Sequence, residues 1–131
     1  MIGQFVRHRA ILAREAGRDG CLCILAIQPV IHVGKPLTER EEKNSHMWGD
    51  HGRYFRVIWP ELQAATARLD VPGAVTVDLT DVFSGFNGDA YQDECHYTSG
   101  GNRLIAQRLA ETVRSELLAR RRPETRPAVE R

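Results

Sequence analysis

Features typical of secreted, membrane-spanning and nucleic-acid-binding proteins are absent from this 131-residue sequence. Its three cysteines are sparse and odd in number, so they do not form a disulfide framework. No apolar run approaches the ~18–20 residues of a transmembrane helix. The charged segment Met1–Arg18 lacks the apolar stretch of a signal peptide. We therefore expect no membrane span and, by default, a cytoplasmic location.

An excess of charge of one sign is also missing. The 18 basic and 17 acidic side chains leave a formal net charge of +1, so nucleic-acid binding through bulk charge is not expected. Hydrophobic residues make up 42% and charged residues 27% of the chain, which excludes disorder over most of its length. We predict one domain over residues 1–121, followed by a disordered basic tail over residues 122–131.

Apolar spacing predicts three helices that alternate with two strands. The helices are expected at 4–17, about 54–69 and about 100–121, and the strands at 21–28 and 74–79. Pro60 should either begin the second helix or kink it. Two long loops, at 29–53 with a short helical turn at 38–43 and at 80–99, are the regions where function is expected.

The α-β-α-β-α order is typical of an α/β fold with a parallel sheet. Two strands do not make a stable parallel sheet, because such sheets need both faces covered and few open edges. The predicted helices also carry more apolar surface than two short strands can cover. We therefore expect an incomplete sheet, which a missing N-terminal half or a second copy in a homo-oligomer would complete.

The most informative stretch is YQDECHYTSGGNRLIA at 91–106. Asp93 and His96 are three residues apart, just before a helix that Thr98 or Ser99 can cap. The carboxylate can then accept a hydrogen bond from the imidazole Nδ1–H, which leaves Nε2 free to act as a base. These two residues are the candidate catalytic pair, and an ordinary surface ion pair is the alternative.

Several segments resemble the SGNH, or GDSL-type, hydrolase family. DECH followed by T-x-x-G-N is similar to the last catalytic block of that family, which holds the Asp and His of its triad. LAIQPV at 25–30, GKPLTEREE at 34–42 and VDLTDVF at 77–83 are similar to further segments, in the same order. The resemblance covers about residues 4–118. It implies a three-layer α/β/α fold and serine-dependent hydrolysis of a small ester, with Asp93 and His96 as catalytic residues and with neither cofactor nor metal.

The family's nucleophile block has no counterpart in this chain. None of the four serines, Ser45, Ser84, Ser99 and Ser115, lies in a G-D-S segment or in a G-x-S-x-G elbow. The Gly and Asn that complete the family's oxyanion hole are missing as well. The chain therefore resembles the C-terminal half of such an enzyme, and we predict that it has no esterase activity alone. Ser84 or Cys95 as a replacement nucleophile is the alternative.

Other polar residues are weaker candidates. Gln28 ends the first predicted strand and His32 follows it, at the carboxyl end where α/β proteins place ligands, and both are candidate substrate-binding residues. Cys21 and Cys23 lie on one face of that strand, and we interpret them as small core residues rather than as a redox or metal pair.

The sequence is compatible with three functional classes. The first is the truncated ester hydrolase, and the second is a binding or assembly module that pairs its open sheet with another chain. The third is a metal-binding protein, because His46, Asp50 and His51 carry side chains that suit zinc. Their spacing matches no zinc motif, so a solvated loop is the simpler interpretation of this third group.

Overall fold

The computed structural model describes residues 1–46, 49 and 51–121. Its elements, in chain order, are α1 (Ile2–Arg18), β1 (Cys23–Ile27), α2 (Glu39–Asn44), α3 (Gly52–Ala67), β2 (Ala74–Asp78) and α4 (Ser99–Arg121). The predicted alternation is present, and the helical turn expected at 38–43 is α2. The disordered tail predicted at 122–131 lies outside the described residues. No helix in the described ranges combines the length and apolar character needed to cross a membrane.

The two strands pair in parallel, as predicted. The register runs from Cys23 opposite Ala74 to Ile27 opposite Asp78. Within the described part of the chain the sheet consists of these two strands and is not closed. The architecture is therefore a partial α/β arrangement with an open sheet.

Helix α3, the second of the three long helices predicted from the sequence, differs from its prediction in its bounds. It spans Gly52–Ala67 rather than 54–69, and Pro60 lies inside it instead of beginning it. Proline removes one backbone donor from a helix. The half-buried apolar stripe, which includes Phe55 and Leu62, continues on both sides of Pro60, so packing maintains the helix through that position.

One apolar cluster joins α1 to the sheet. Ala10 and Ala13 of α1 are buried against Leu25 of β1 and Val71, which lies just before β2. Alanine on the buried face lets a helix approach a sheet closely. This cluster fixes α1 over the amino-terminal part of the parallel pair.

The two cysteines near β1 have different environments. Cys23 packs against this cluster, as expected of a core residue. Cys21 is exposed and precedes the strand, so its interpretation as a core residue was wrong. The Cys21 N–H still bonds to the Ala16 carbonyl at the end of α1, at 2.9 Å, so the chain is not yet extended there.

A second apolar cluster lies between the loops that follow the two strands. Its buried members are Ile31, Phe83, Ala90 and Tyr91. Leu104 and Ile105 of α4 pack against it. The last helix therefore stabilises the loops at the carboxyl end of the sheet.

The buried carboxylate of Glu41 holds these two loops together. Its Oε1 accepts hydrogen bonds from the backbone N–H groups of Ala90 (2.8 Å) and Tyr91 (3.1 Å). Its Oε2 accepts hydrogen bonds from the Lys35 ammonium and the Thr38 N–H. Thr38 also caps α2, so the two residues form a capping box. One carboxylate thus fixes a helix start and a distant loop.

The pKa of Glu41 reflects these contacts. Burial by itself would raise that pKa, but the hydrogen bonds from Lys35, Thr38, Tyr91 and Ala90 together hold it below its ordinary value. The ionised group therefore contributes stability above the ordinary carboxyl pKa. This contribution is lost as the pH falls through the lower pKa of the folded state.

Gly34 allows the first loop to run against the end of β2. Its φ is 95°, in the left-handed region that favours glycine. A Cβ built there would lie 1.7 Å from the carbonyl oxygen of Thr80. Because the obstacle is backbone, a side chain at this position requires the loops to separate.

Replacing the buried carboxylate should destabilise the fold strongly. Glu41→Gln leaves the Lys35 ammonium buried without a counter-charge, and breaking a buried ion pair costs about 3–5 kcal/mol. Glu39→Gln is the matched control, because Glu39 pairs with Lys43 on the exposed face of the same helix and should change stability little. Urea unfolding at neutral pH measures both, and equal effects would contradict the role given to Glu41.

A second pair of variants tests the contact between the loops. Gly34→Ala and Gly20→Ala both place a side chain at positive φ, which costs about 1–2 kcal/mol. Position 20 has open space, whereas position 34 meets the Thr80 carbonyl. Thermal unfolding should therefore show a clearly larger loss for Gly34→Ala. Similar midpoints for the two variants would mean that the loops do not approach as described.

Candidate functional site

The candidate site lies where the loops after β1 and β2 meet. The carboxyl ends of parallel strands share one edge of a sheet, where α/β proteins place ligands. The Ile31 N–H donates to the Glu94 carbonyl at 3.0 Å, and the Tyr97 hydroxyl donates to the Pro29 carbonyl at 2.7 Å. These two bonds anchor the segment that carries Asp93 and His96 to the end of β1.

Asp93 and His96 form the pair that their spacing predicts. The imidazole Nδ1 lies 2.8 Å from Oδ2 and 2.9 Å from Oδ1 of Asp93. Oδ1 also accepts hydrogen bonds from the backbone N–H groups of Cys95 (3.0 Å) and His96 (2.9 Å). The backbone N–H groups therefore hold the Asp93 carboxylate independently of the imidazole, and the carboxylate in turn orients the ring.

The turn that carries this pair is closed on both sides. Tyr91 and Tyr97 form an isolated antiparallel bridge, and the Gln92 N–H donates to the His96 carbonyl at 2.8 Å. Tyr97 is half-buried, and burial, followed by the nearby Cys95, raises its pKa to about 12. Its hydroxyl therefore remains a hydrogen-bond donor to Pro29 across the neutral range.

The electrostatics favour an ionised Asp93. Burial by itself would raise the pKa of this carboxyl, but the N–H groups of Cys95 and His96 and the imidazole together hold it below its ordinary value. Its side chain is 16% exposed, whereas the His96 side chain is 71% exposed. A neutral His96 with its proton on Nδ1 would thus keep Nε2, on the far side of the ring, as its basic nitrogen.

The replacement nucleophiles considered from the sequence are poorly placed. Ser84 is exposed in the turn after β2, and no hydrogen bond among the described side chains joins it to His96. The Cys95 Sγ lies 3.9 Å from Nδ1, the nitrogen that Asp93 already holds, rather than from a free base. Burial and the charges of Asp93 and Glu94 raise the pKa of Cys95, which disfavours its thiolate.

The cap of α4 is Thr98 rather than Ser99. Thr98 Oγ1 accepts a hydrogen bond from the Gly101 N–H at 3.1 Å and donates to the Asp89 carbonyl at 2.7 Å. Ser99 is the first residue of α4 and is exposed. The cap therefore fixes the start of the helix directly after the turn that carries Asp93 and His96.

The two predicted substrate-binding residues lie at the end of β1, beside α3. Gln28 is exposed, and its carbonyl accepts a hydrogen bond from the Trp59 indole at 3.3 Å. The His32 ring stacks on Phe55 with centroids 5.7 Å apart. Both residues thus lie on the first loop, which the bond between Ile31 and Glu94 connects to the turn of Asp93 and His96.

The predicted zinc cluster is only partly described. Asp50 lies outside the described residues, and His46 is exposed. The His51 Nδ1 lies 2.9 Å from Oε2 of Glu94, whose side chain is 6% exposed. This makes a second histidine–carboxylate pair, directly next to Asp93 in sequence.

Sequence reasoning missed Glu41, Tyr97 and Glu94. The T-x-x-E spacing of Thr38 and Glu41 is a capping-box signal that could have given Glu41 a role at the start of α2. No local signal could have shown that the carboxylate also binds N–H groups 49 and 50 residues away. The pairing of Glu94 with His51 depends on tertiary structure in the same way.

Removing the imidazole should raise the pKa of Asp93 without restoring its ordinary value. In His96→Ala the carboxylate loses the ring but keeps the backbone N–H groups of residues 95 and 96. Carboxyl carbon NMR titration with a metal chelator present should place the wild-type pKa lowest and the variant between it and about 3.9. His8→Ala, on the exposed face of α1, is the control. Identical Asp93 titrations in wild type and His96→Ala would exclude the contact.

Comparison of the chain with protein-family models, with curated proteins and with solved structures gives no match.

Proposed function

We propose that this chain is the C-terminal part of an SGNH-type ester hydrolase. In the complete enzyme a serine on another segment attacks a small ester, and the acyl group passes first to that serine and then to water. His96 takes the serine proton as general base and returns it to the leaving alcohol as general acid. Asp93 orients the ring and stabilises the imidazolium.

The observation that carries the proposal is the fixed geometry of Asp93 and His96. Both carboxylate oxygens lie within 2.9 Å of Nδ1, and two backbone N–H groups hold Oδ1. A surface ion pair between flexible side chains does not need such support. The arrangement instead matches what a histidine base requires, namely one defined tautomer and one defined orientation.

The pair is expected to be idle in the isolated chain. Members of a catalytic triad act as a unit, so losing the nucleophile costs nearly as much as losing all three. Each missing oxyanion donor costs a further ~2.7–4 kcal/mol. A base and its orienting carboxylate alone therefore give no useful rate of ester hydrolysis.

The free edge of β1 supports an additional strand in the complete protein. Cys23 donates to Gly73, and Ile27 accepts from Leu79, so these residues of β1 face β2. Since hydrogen-bonding groups alternate along a strand, Ile24 and Ala26 face the opposite edge.

Side chains occupy part of that edge in this chain. Arg9 donates to the Ala26 carbonyl at 2.7 Å, and the Trp59 indole donates to the Gln28 carbonyl at 3.3 Å. Proteins commonly protect open edges with charged groups. A strand that pairs with β1 would have to displace both side chains.

A non-catalytic assembly module is the second candidate, and exposed apolar side chains favour it. Large apolar residues that are at least 40% exposed on the helices are Phe5, Ile11, Leu12, Tyr54, Val57, Leu117 and Leu118. Such surface is typical of a face that another segment or chain covers. Both candidates therefore require a partner for the open sheet, and they differ in whether that partner supplies a serine.

Hydrolysis of a short-chain aryl ester separates the two functions. The isolated chain and its His96→Ala variant should be equally inactive, because neither holds a nucleophile. If the DNA upstream of Met1 encodes a G-D-S segment, the joined polypeptide should be active. His96→Ala should then reduce its rate about 10⁴-fold or more, and His8→Ala should leave it unchanged.

Two results would contradict the hydrolase proposal. Activity of the isolated chain that disappears in His96→Ala would show that a nucleophile is already present. An upstream region without a G-D-S segment, together with stable self-association of the chain, would favour the assembly module.

A further inference from the structure

Three different metal-ligating side chains meet in the turn between β2 and α4. The carboxylate of Asp93, the Sγ of Cys95 and the imidazole of His96 have ligand atoms that all lie within 4.8 Å of one another. Among the described residues, this is the one group of three such side chains with ligand atoms so close together. It combines an oxygen, a sulfur and a nitrogen donor, which is a ligand set suited to zinc.

Two distances between these atoms can be compared with the ligand separations of a tetrahedral zinc site. Sγ lies 3.9 Å and Oδ2 lies 2.8 Å from Nδ1. Zinc at about 2.0–2.3 Å from such ligands holds them about 3.3–3.8 Å apart. All three ligand atoms already lie within 4.8 Å of one another, so rotations of these side chains within the turn bring them to such distances.

The backbone arranges the ligands in advance. Oδ1 of Asp93 is held by the N–H groups of Cys95 and His96, which leaves Oδ2 directed at the ring nitrogen. Cys95 is exposed, and the His96 side chain is 71% exposed. An ion can thus reach the group from solvent and keep a water as its fourth ligand.

We propose that Asp93, Cys95 and His96 bind one zinc ion through Oδ2, Sγ and Nδ1. Binding releases the Cys95 thiol proton to solvent and moves the imidazole proton from Nδ1 to Nε2. The zinc–sulfur and zinc–nitrogen bonds replace the Nδ1–H···O hydrogen bond, and nothing is oxidised or reduced.

Zinc binding and base catalysis then exclude each other. With the metal on Nδ1 and a proton on Nε2, His96 has no lone pair with which to accept a proton. In a complete hydrolase, zinc would act as a reversible inhibitor. That consequence rests on the proposed function, whereas the binding of zinc does not.

Competition with a chromophoric zinc chelator, using the full chain, tests the site. The chain should bind one equivalent of zinc, and Cys95→Ser should weaken binding by at least about tenfold. Cys21→Ser removes a different exposed cysteine and should leave the affinity unchanged. His96→Gln gives a second variant of the site, and circular dichroism verifies that each variant is folded.

Cobalt(II) provides a spectroscopic test that does not depend on activity. The wild-type chain and Cys21→Ser should show thiolate-to-cobalt charge-transfer absorption in the near ultraviolet, and Cys95→Ser should lose it. The proposal is overturned if the chain binds no zinc, if Cys95→Ser binds as tightly as wild type, or if Cys21→Ser abolishes binding. The proposal is supported only if zinc binding is weakened in Cys95→Ser and His96→Gln and unchanged in Cys21→Ser, whether or not any esterase activity exists.

Discussion

The buried carboxylate of Glu41 connects the two loops that follow the strands of the sheet. Glu41 lies in α2, outside the sheet. Its carboxylate accepts hydrogen bonds from the start of that helix and from the backbone N–H groups of Ala90 and Tyr91. Since a buried charge is costly without partners, the loops must close around it for the fold to form. Lys35, whose side chain is 1% exposed, supplies the counter-charge. The segment after β2 is thereby ordered although it contains little regular structure.

The geometry of the Asp93–His96 pair does not depend on a complete sheet. Asp93 and His96 are oriented by their own turn, by the bridge between Tyr91 and Tyr97 and by the cap of α4. None of these contacts involves the free edge of β1. A chain with two strands can therefore hold a well-formed histidine–carboxylate pair while lacking the groups that hydrolysis needs. The same compact turn also brings the Cys95 thiol to the pair, which gives the ligand set of the proposed zinc site.

Local patterns in the sequence predicted much of the fold. The apolar stripes predicted α1, α3 and α4, the run around Leu25 predicted β1, and the alternation predicted parallel pairing. The prediction for Cys21 was wrong because backbone bonds at the end of α1 hold that residue outside the strand. The sequence offered Thr98 and Ser99 as caps of α4, and only the structure shows that Thr98 accepts from the Gly101 N–H. The burial of Glu41 depends on partners that no local pattern reveals.

The tautomer of His96 is the most direct test of the account. A long-range proton–nitrogen correlation spectrum of the neutral imidazole, recorded at alkaline pH with a metal chelator present, assigns the proton to one ring nitrogen. The geometry predicts a proton on Nδ1, donated to Asp93, and a bare Nε2. In Asp93→Asn this preference should weaken. A wild-type ring protonated on Nε2, with Nδ1 bare, would show that Asp93 does not orient His96 and would contradict the proposed catalytic pair.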